Sequence, residues 1–174
     1  MKRKIDSLDF RHVMGCFATG VAVVTARDGA LGTVGLTINS LTSVSLEPPL
    51  VLFCLDRAAH LHKALRRAEH FAVNFLAAGQ ENVSRHFASR HHAEPKNMWA
   101  KPSKDAGHEV PLLRGTLGWV LCRSHAFHKG GDHTIIVGEV VDLHRQAGSA
   151  EPLLYFRGRY RDLAAGKVTS GARK

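Results

Sequence analysis

The sequence predicts a mainly β fold with short helices, in the form of a closed antiparallel barrel. Short apolar runs rich in β-branched residues recur along the chain, and hairpin turn signals such as Asp28-Gly29 and Lys129-Gly-Gly-Asp132 join several of them. Helical periodicity is confined to brief segments, so the strand–helix alternation of a parallel sheet is missing. A chain of 174 residues fits one domain. We expect its core to span residues 8–163, between basic tails at 1–6 and 164–174.

The first third of the chain predicts one helix and a hairpin. Ser7 is a candidate helix cap, and the helix that it opens carries Phe10, Val13, Met14 and Phe17 at helical spacing. We expect that helix to end at Thr19-Gly20. Strands over residues 21–26 and 31–39 then flank the turn at Asp28-Gly29.

The remaining elements follow the same logic. An apolar strand is expected over residues 50–55, a short helix near 60–67, a strand over 70–76 and a helix over 80–87. Two long strands follow at 118–128 and 133–143, and one more at 152–156. Residues 89–111 are polar and irregular, and connections of that length are usually functional or mobile.

Composition limits the class of protein. A hydrophobic fraction of 44% with 22% charged residues is typical of a soluble globular protein, and no apolar run is long enough to span a membrane. The start of the chain is too polar for a secretory signal, so we expect a cytoplasmic protein. The three cysteines are far apart, which favours free thiols over a disulfide framework.

The net charge of +9 is concentrated in the tails. Without their six basic residues, the body has 18 basic and 15 acidic residues. Because a nucleic-acid groove would interleave basic and aromatic residues along one face, we expect solvated tails and no nucleic-acid partner. Binding of nucleic acid through the tails is the alternative, and it predicts loss of function when the tails alone are deleted.

Residues 35–50 predict a ligand-binding wall. Five hydroxyl side chains and the carboxamide of Asn39 occupy sixteen residues between two strand-like runs and end at Pro48-Pro49. Each such group would need a partner if it were buried in a core, whereas a ligand bearing carbonyls and ring nitrogens would use them. The chain has no dinucleotide-binding GxGxxG, no phosphate-binding loop and no GxSxG nucleophile elbow. The histidines show no metal-ligand spacing, so no metal site is expected.

Two further places could belong to a site. His133 begins a strand after a Gly-Gly-Asp turn, so its ring would stand at the barrel rim, where Asp132 could bias its protonation or tautomer. An ordinary surface histidine is the alternative. Arg157, Arg159 and Arg161 alternate beside Tyr155 and Tyr160, either as a solvated edge or as a guanidinium fork for a phosphate or a nucleotide face.

Four blocks of sequence carry a resemblance to a known family. They read FRHVMGCFATGVAVVT at residues 10–25, LTINSLTSVSLEPP at 36–49, GDHTIIVGEV at 131–140 and PLLYFRGRY at 152–160. In this order the chain resembles the short-chain flavin reductases, which serve as reductase components of two-component flavin-dependent monooxygenases.

The resemblance implies a split barrel of the FMN-binding type, which forms homodimers and uses NADH or NADPH to reduce FMN or FAD. It implies these flavin-contacting residues: Thr37, Asn39, Ser40, Ser43, Val44, Ser45, Cys54, Leu55, Arg57, Asn74, Phe75, Ser84 and Phe87. Facing the nicotinamide it implies His133, which is also the candidate catalytic residue, with Tyr155, Arg157 and Tyr160. At residues 57–59 the chain is poorer in hydroxyls than the family, and Arg57 or Arg85 would supply charge there instead.

The chemistry that the resemblance implies asks little of the side chains. Hydride transfer between two cofactor rings needs no protein acid or base, so the protein must position the rings and stabilise charge on the reduced flavin. The expected function is an NAD(P)H:flavin oxidoreductase that hands reduced flavin to an oxygenase. The alternative keeps the fold but gives a flavin-binding sensor or carrier without significant turnover.

Overall fold

The computed structural model describes residues 5–59, 61–89, 97–100 and 109–163. Most of both basic tails and most of the 89–111 segment, with their predicted roles, lie outside these described residues. Within them the fold is mainly β with short helices and antiparallel pairing, as predicted. The helices are α1 (Ser7–Met14), α2 (His62–Arg67), α3 (Glu81–Ala88) and a 3-10 turn at Ala78–Gln80. The strands are β1 (Thr19–Gly20), β2 (Ala22–Asp28), β3 (Gly32–Ile38), β4 (Thr42–Leu46), β5 (Pro49–Asp56), β6 (His70–Phe75), β7 (Gly118–Gly130), β8 (His133–Arg145), β9 (Leu154–Phe156) and β10 (Arg159–Arg161).

Both predicted ends of the first helix were wrong. Its cap is Asp6, whose Oδ1 accepts hydrogen bonds from the backbone N–H groups of Leu8 and Asp9, because a carboxylate one residue earlier satisfies these free donors. The helix ends at Met14 and Gly15 caps it. Thr19–Gly20, expected to end the helix, instead forms β1.

Seven strands form the main sheet in the order β3-β2-β6-β7-β8-β5-β4. The two predicted hairpins, β2–β3 and β7–β8, pair antiparallel, and the register of β7–β8 shifts at Leu121/Cys122 and at Ser124/Ala126. β3 and β4 are the outermost strands of this order although they follow each other in the chain.

Strand β2 is covered on both faces. Its even-numbered residues Ala22, Val24 and Ala26 pack with side chains of β3, β5, β6 and α2 in the main core cluster. Val23 points the other way, into a second cluster with Leu76 and Val83. Burial on two faces explains why residues 22–26 read as a continuous apolar run rather than an alternating one.

A small sheet of β1, β9 and β10 lies beside the main one. Thr19 pairs with Tyr155, and Tyr155 pairs with Tyr160. Arg157 and Gly158 make the turn between β9 and β10 with φ angles of 49° and 75°. Arg157 is therefore a turn residue, and the predicted extended row of three arginines was wrong at this position.

Two negative findings apply to the described residues. No helix among them is long and apolar enough to cross a membrane. No group of three or more His, Cys, Asp and Glu side chains among them is placed to hold a metal ion.

Candidate active site

An open groove of about 1460 Å³ lies between α1 and the ends of the two sheets. One wall is α1 and the chain after it, a second is the link from β3 to β4, and a third is the approach to β9 with the β9–β10 turn. The groove brings together five of the predicted site residues: Asn39, Ser40, Phe75, Tyr155 and Arg157.

The β3–β4 link supplies a polar row beside an apolar surface. Asn39 is exposed, and Ser40 bridges to β5 by accepting a hydrogen bond from the Cys54 N–H at 3.0 Å and donating to the Cys54 carbonyl at 3.3 Å. Ile38 and Phe75 line the groove next to these groups. An apolar wall carrying a few fixed polar groups suits a flat heterocycle with polar edges.

Across the groove, Tyr155 is held by aromatic packing. Its ring meets that of Tyr160 edge to face at 5.4 Å. The Tyr160 hydroxyl shares a hydrogen bond of 2.8 Å with the hydroxyl of Ser84, a fully buried residue. Through this chain of contacts α3 fixes the aromatic wall of the groove.

Several predicted flavin contacts serve this packing instead of lining the groove. Thr37 donates to the Ser84 carbonyl at 2.7 Å, and the ring of Phe87 lies against Gly35, where any Cβ would clash with it. Arg85, expected to offer its charge to a phosphate, forms an ion pair with Glu81 at 2.6 Å. The Glu81 carboxylate, one helical turn away, pairs with the Arg85 guanidinium.

The structure places His133 at the tip of the β7–β8 hairpin. Its Nδ1 lies 2.7 Å from Oδ1 of Asp132, and its side chain is 43% exposed. The backbone carbonyl of Asp132 accepts a hydrogen bond from the Arg57 N–H at 3.0 Å, which ties the tip to the end of β5. The hydrogen bond to His133 is the main cause that lowers the pKa of the Asp132 carboxyl, and the charge of Arg11 lowers it further.

Five predicted contacts lie elsewhere, and two of them are buried. Asn74 and Leu55 are fully buried in the core, so the structure does not bring their side chains to the groove. Val44 and Ser43 are exposed on the outermost strand β4, whereas Ser45 is half-buried there. The alternation of side chains along a strand could not predict that Asn74 faces the core, because β6 is buried on both faces.

The groove also contains residues that the sequence did not single out. Leu8, Arg11, His12 and Gly15 line it from α1. They are spaced three, four and seven residues apart, which places them on one face of the helix. The helical spacing could therefore have predicted that these residues act together. Of the apolar residues predicted to lie on the same helix, Met14 and Phe17 also line the groove, whereas Phe10 and Val13 do not.

The groove also contains an unpaired hydroxyl. Thr19 Oγ1 is buried without a hydrogen-bond partner among the described residues. Cys16 and Cys54 are free thiols at or near the groove, whereas burial raises the pKa of the Cys122 thiol to about 12 and keeps it protonated. The donors, hydroxyls and apolar walls around the groove fit a flavin better than a metal ion, whose ligands would have to converge.

The sequence profile described as "Flavin reductase like domain" matches residues 14–164 of the chain. The chain belongs to this family. An NADH-dependent FAD reductase of Streptomyces globisporus is 42% identical over 163 residues, which cover 91% of this chain and 87% of that protein. The reductase component of a 4-nitrophenol and 4-nitrocatechol monooxygenase of Rhodococcus opacus is 38% identical, covering 90% of this chain and 80% of that protein.

A solved structure of the flavin reductase-like family agrees with the fold. It is the NADH:FAD oxidoreductase of Streptomyces globisporus in complex with NAD and FAD fragments. It superposes with a TM-score of 0.80 at 41% identity, covering 92% of this chain and 94% of that one. The resemblance seen in four short blocks therefore extends over nearly the whole flavin reductase-like chain.

Proposed function

We propose that the chain is an NAD(P)H:flavin oxidoreductase that reduces FMN or FAD and supplies the reduced flavin to a partner monooxygenase. The observation that carries this is the groove in which the polar β3–β4 link faces Tyr155 and Arg157, in a chain of the flavin reductase-like family. The relatives named as NADH-dependent FAD reductase and as the reductase component of a monooxygenase support both halves of the proposal.

In this proposal the side chains position the flavin and nicotinamide rings. A bound flavin supplies a ring that accepts a hydride from the reduced nicotinamide. Asn39 and the backbone of the β3–β4 link are placed to donate hydrogen bonds to polar edges of such a ring, while Ile38 and Phe75 exclude water from its face. Tyr155 and Arg157 are placed to orient the second ring across the groove.

Within this proposal the predicted residues divide into three roles. We assign direct flavin contact to Asn39, Ser40 and Phe75, with Ser43, Val44, Ser45, Cys54 and Arg57 at the periphery. Thr37, Ser84, Phe87 and Tyr160 support the groove wall from behind. Tyr155, Arg157 and His133 form the nicotinamide side. This division rests on which side chains line the groove and which are engaged in packing.

We further propose that the main sheet closes into a split barrel within one domain. In a flat sheet β3 and β5 would lie roughly 24 Å apart, since they are five strand spacings apart. Instead Val34 and Ile38 of β3 share the main core cluster with Phe53 and Leu55 of β5. A single core cluster that includes distant members of the strand order supports a curled sheet.

A homodimer is the third part of the proposal. Phe10 and Val13 are 57% and 69% exposed, and their helical spacing places them on the side of α1 away from Leu8 and His12, which line the groove. The other face of α1 already lines the groove. A second copy of the chain would cover these exposed apolar residues in a dimer.

Steady-state oxidation of NADH and NADPH with added FMN, FAD or riboflavin tests the activity. We expect oxidation that depends on flavin, with turnover in the range of typical enzymes. Flavin binding without oxidation by either donor would instead support the sensor or carrier and overturn the reductase.

His133→Ala tests the nicotinamide side. We expect the apparent KM for NADH to rise about 5- to 10-fold, because the ring that Asp132 holds in place is lost, whereas flavin affinity changes less than 2-fold. His144→Ala, at the far end of β8, is the matched control. Equal losses of flavin and nicotinamide binding would show that His133 is misassigned.

A further inference from the structure

The charge around the groove is one-sided. Its lining residues that can carry a positive charge are Arg11, His12 and Arg157, and no Asp or Glu carboxylate lines it among the described residues. Neither guanidinium has an ion-pair partner within 4.0 Å in the described part of the chain. Because such a surface attracts anions from solution, the α1 end of the groove is suited to a negatively charged ligand group.

Arg157 is held in an unfavourable backbone conformation. It is the first central residue of the β9–β10 turn, where φ is 49°, and the next residue is Gly158 with φ of 75°. Turns with two positive φ angles favour Asn, Asp or Gly at this first position, since a long side chain is disfavoured there. Arg157 nevertheless lines the groove, with its guanidinium carbon 5.1 Å from the centroid of the Phe156 ring. Observed backbone strain of this kind often accompanies a functional side chain.

Short backbone hydrogen bonds fix the two arginines at the same end of the groove. The Arg157 N–H donates to the Gly15 carbonyl at 2.8 Å, and the Gly15 N–H donates to the Arg11 carbonyl at 2.8 Å. Gly15 is also crowded, because a Cβ there would lie 3.2 Å from the Arg11 carbonyl oxygen and 3.6 Å from the Arg157 Cα. The end of α1 and the turn are thus joined through one small residue.

The charge of Arg11 also acts on the β7–β8 hairpin that carries His133. Arg11 is close enough to Asp132 for its charge to lower the pKa of that carboxyl, while the carboxylate itself is hydrogen-bonded to His133. Of the two arginines considered for a phosphate, Arg85 is paired with Glu81, and Arg57 does not line the groove. The cationic groups that line the groove are therefore Arg11, His12 and Arg157.

We propose that Arg11 and Arg157 form a phosphate subsite that holds the diphosphate of the nicotinamide nucleotide while its ring lies across the groove. This inference rests on the proposed function and adds Arg11, on α1, to the binding residues. One guanidinium comes from α1 and the other from the β9–β10 turn. Together they match the oxygens of a diphosphate, which accept several charge-assisted hydrogen bonds. The phosphate of FMN offers the same chemistry, so the test must separate the two sources.

The test compares hydride donors with and without phosphate. NADH and 1-benzyl-1,4-dihydronicotinamide are used with riboflavin, which carries no phosphate, as the acceptor. For Arg11→Gln we expect the KM for NADH to rise about 10-fold, as for loss of a charge-assisted hydrogen bond, with the KM for the benzyl donor unchanged within 2-fold. The KM for NADH of Arg11→Lys should lie between the values for the wild type and for Arg11→Gln. Arg145→Gln removes an equal charge from an exposed position outside the groove and should leave both values unchanged.

Two kinetic outcomes would overturn the proposal. An equal rise in KM for both donors would mean that Arg11 only supports the structure. A weakened affinity for FMN but not for riboflavin, with the KM for NADH unchanged, would assign the subsite to the flavin phosphate.

A direct binding measurement keeps this inference separate from the proposed activity. Calorimetry with inorganic pyrophosphate requires no turnover. We expect binding that weakens about 10-fold in Arg11→Gln and declines with added salt. Equal binding by the wild type and this variant would overturn the subsite even if the reductase activity is present.

Discussion

At the scale of single residues, the carboxamide of Asn74 joins three parts of the core. Its Nδ2 donates to the Val23 carbonyl and to the Thr25 hydroxyl, each at 3.0 Å, and its Oδ1 accepts from the Leu113 N–H at 2.9 Å. Thr25 in turn donates to the Pro111 carbonyl. A fully buried polar side chain that is satisfied at every position holds residues 111–113 against β2 and β6.

Asn74→Leu should therefore destabilise the fold rather than the flavin complex. The leucine is similar in size but leaves the Leu113 N–H and the Val23 carbonyl without this partner, which should cost about 3 kcal/mol of unfolding free energy. Urea unfolding measures this cost, and Asn82→Ala, an exposed position on α3, should change it by less than about 0.5 kcal/mol. If the variant unfolds at the same free energy as the wild type but binds flavin more weakly, Asn74 belongs to the flavin site instead.

The same residue explains a limit of sequence reasoning. The pattern placed Asn74 and Phe75 in the right strand, but neighbouring strand residues point to opposite faces, and both faces of β6 are covered. Only the packing of residues 111–113, distant in sequence, decides that Asn74 faces the core and that Phe75 lines the groove. Residues 39–40 were easier to place, because hydroxyls and a carboxamide between two apolar strands have few structural uses.

At the scale of elements, an ion pair joins the β2–β3 hairpin to α2. Asp28 is nearly buried, and its Oδ2 accepts a hydrogen bond from Arg67 at 2.7 Å. Its Oδ1 accepts from the N–H groups of Ala30 and Leu31, which builds the hairpin turn. The Arg67 hydrogen bond, followed by those from Leu31 and Ala30, lowers the pKa of the Asp28 carboxyl below its ordinary value of 3.8.

This pair predicts a particular sensitivity to acid. Because the folded-state pKa of Asp28 is the lower one, its contribution to stability is complete above about pH 5 and is lost as the pH falls below 3.8 through the folded-state value. The urea midpoint of the wild type should fall over this range. Asp28→Asn keeps the Oδ1 acceptor but not the charge, so its midpoint should start lower at pH 7 and fall less steeply.

Asp142→Asn serves as the matched control for this pH series. Asp142 is a half-buried carboxylate on β8 whose Oδ1 accepts only from the Leu143 N–H among the described residues. Its pH profile should follow that of the wild type. Parallel profiles for Asp28→Asn and the wild type would show that the Arg67 pair does not contribute to acid sensitivity.

Element by element, strands β2, β3 and β5 to β9 were predicted from the sequence, whereas β1, β4, β10 and the ends of α1 were not. β-branched runs and turn residues define β2, β3, β7 and β8, because hairpin partners adjacent in sequence need no long-range information. β1 and β10 are two and three residues long, so they exist only through pairing with β9. Arg11 was missed in the site for a similar reason, since the tertiary position of α1 decides which helix face meets the groove.

At the scale of the whole molecule, α1 contributes no buried residue to the core described here. An eight-residue helix is too short to be stable on propensity alone and needs packing on its apolar side. Its groove face carries Leu8, Arg11 and His12, while the face with Phe10 and Val13 meets no other part of the described chain at close packing. The helix would be stabilised if a second copy covered that face, and the groove would stay open to its ligands.

Val13→Glu tests this arrangement. We expect the wild type to sediment at the mass of two 19.0 kDa chains at micromolar concentration, as a stable interface of about 800 Å² per partner would require. Val13 is 69% exposed in the single chain, so a glutamate there costs little in the monomer but would be desolvated in the dimer. The variant should dissociate at least 100-fold more readily in sedimentation velocity experiments. Leu31→Glu, 59% exposed at the β2–β3 turn, should sediment as the wild type does. A wild type that stays monomeric up to 100-fold higher concentration, or two variants that dissociate alike, would contradict dimerisation through α1.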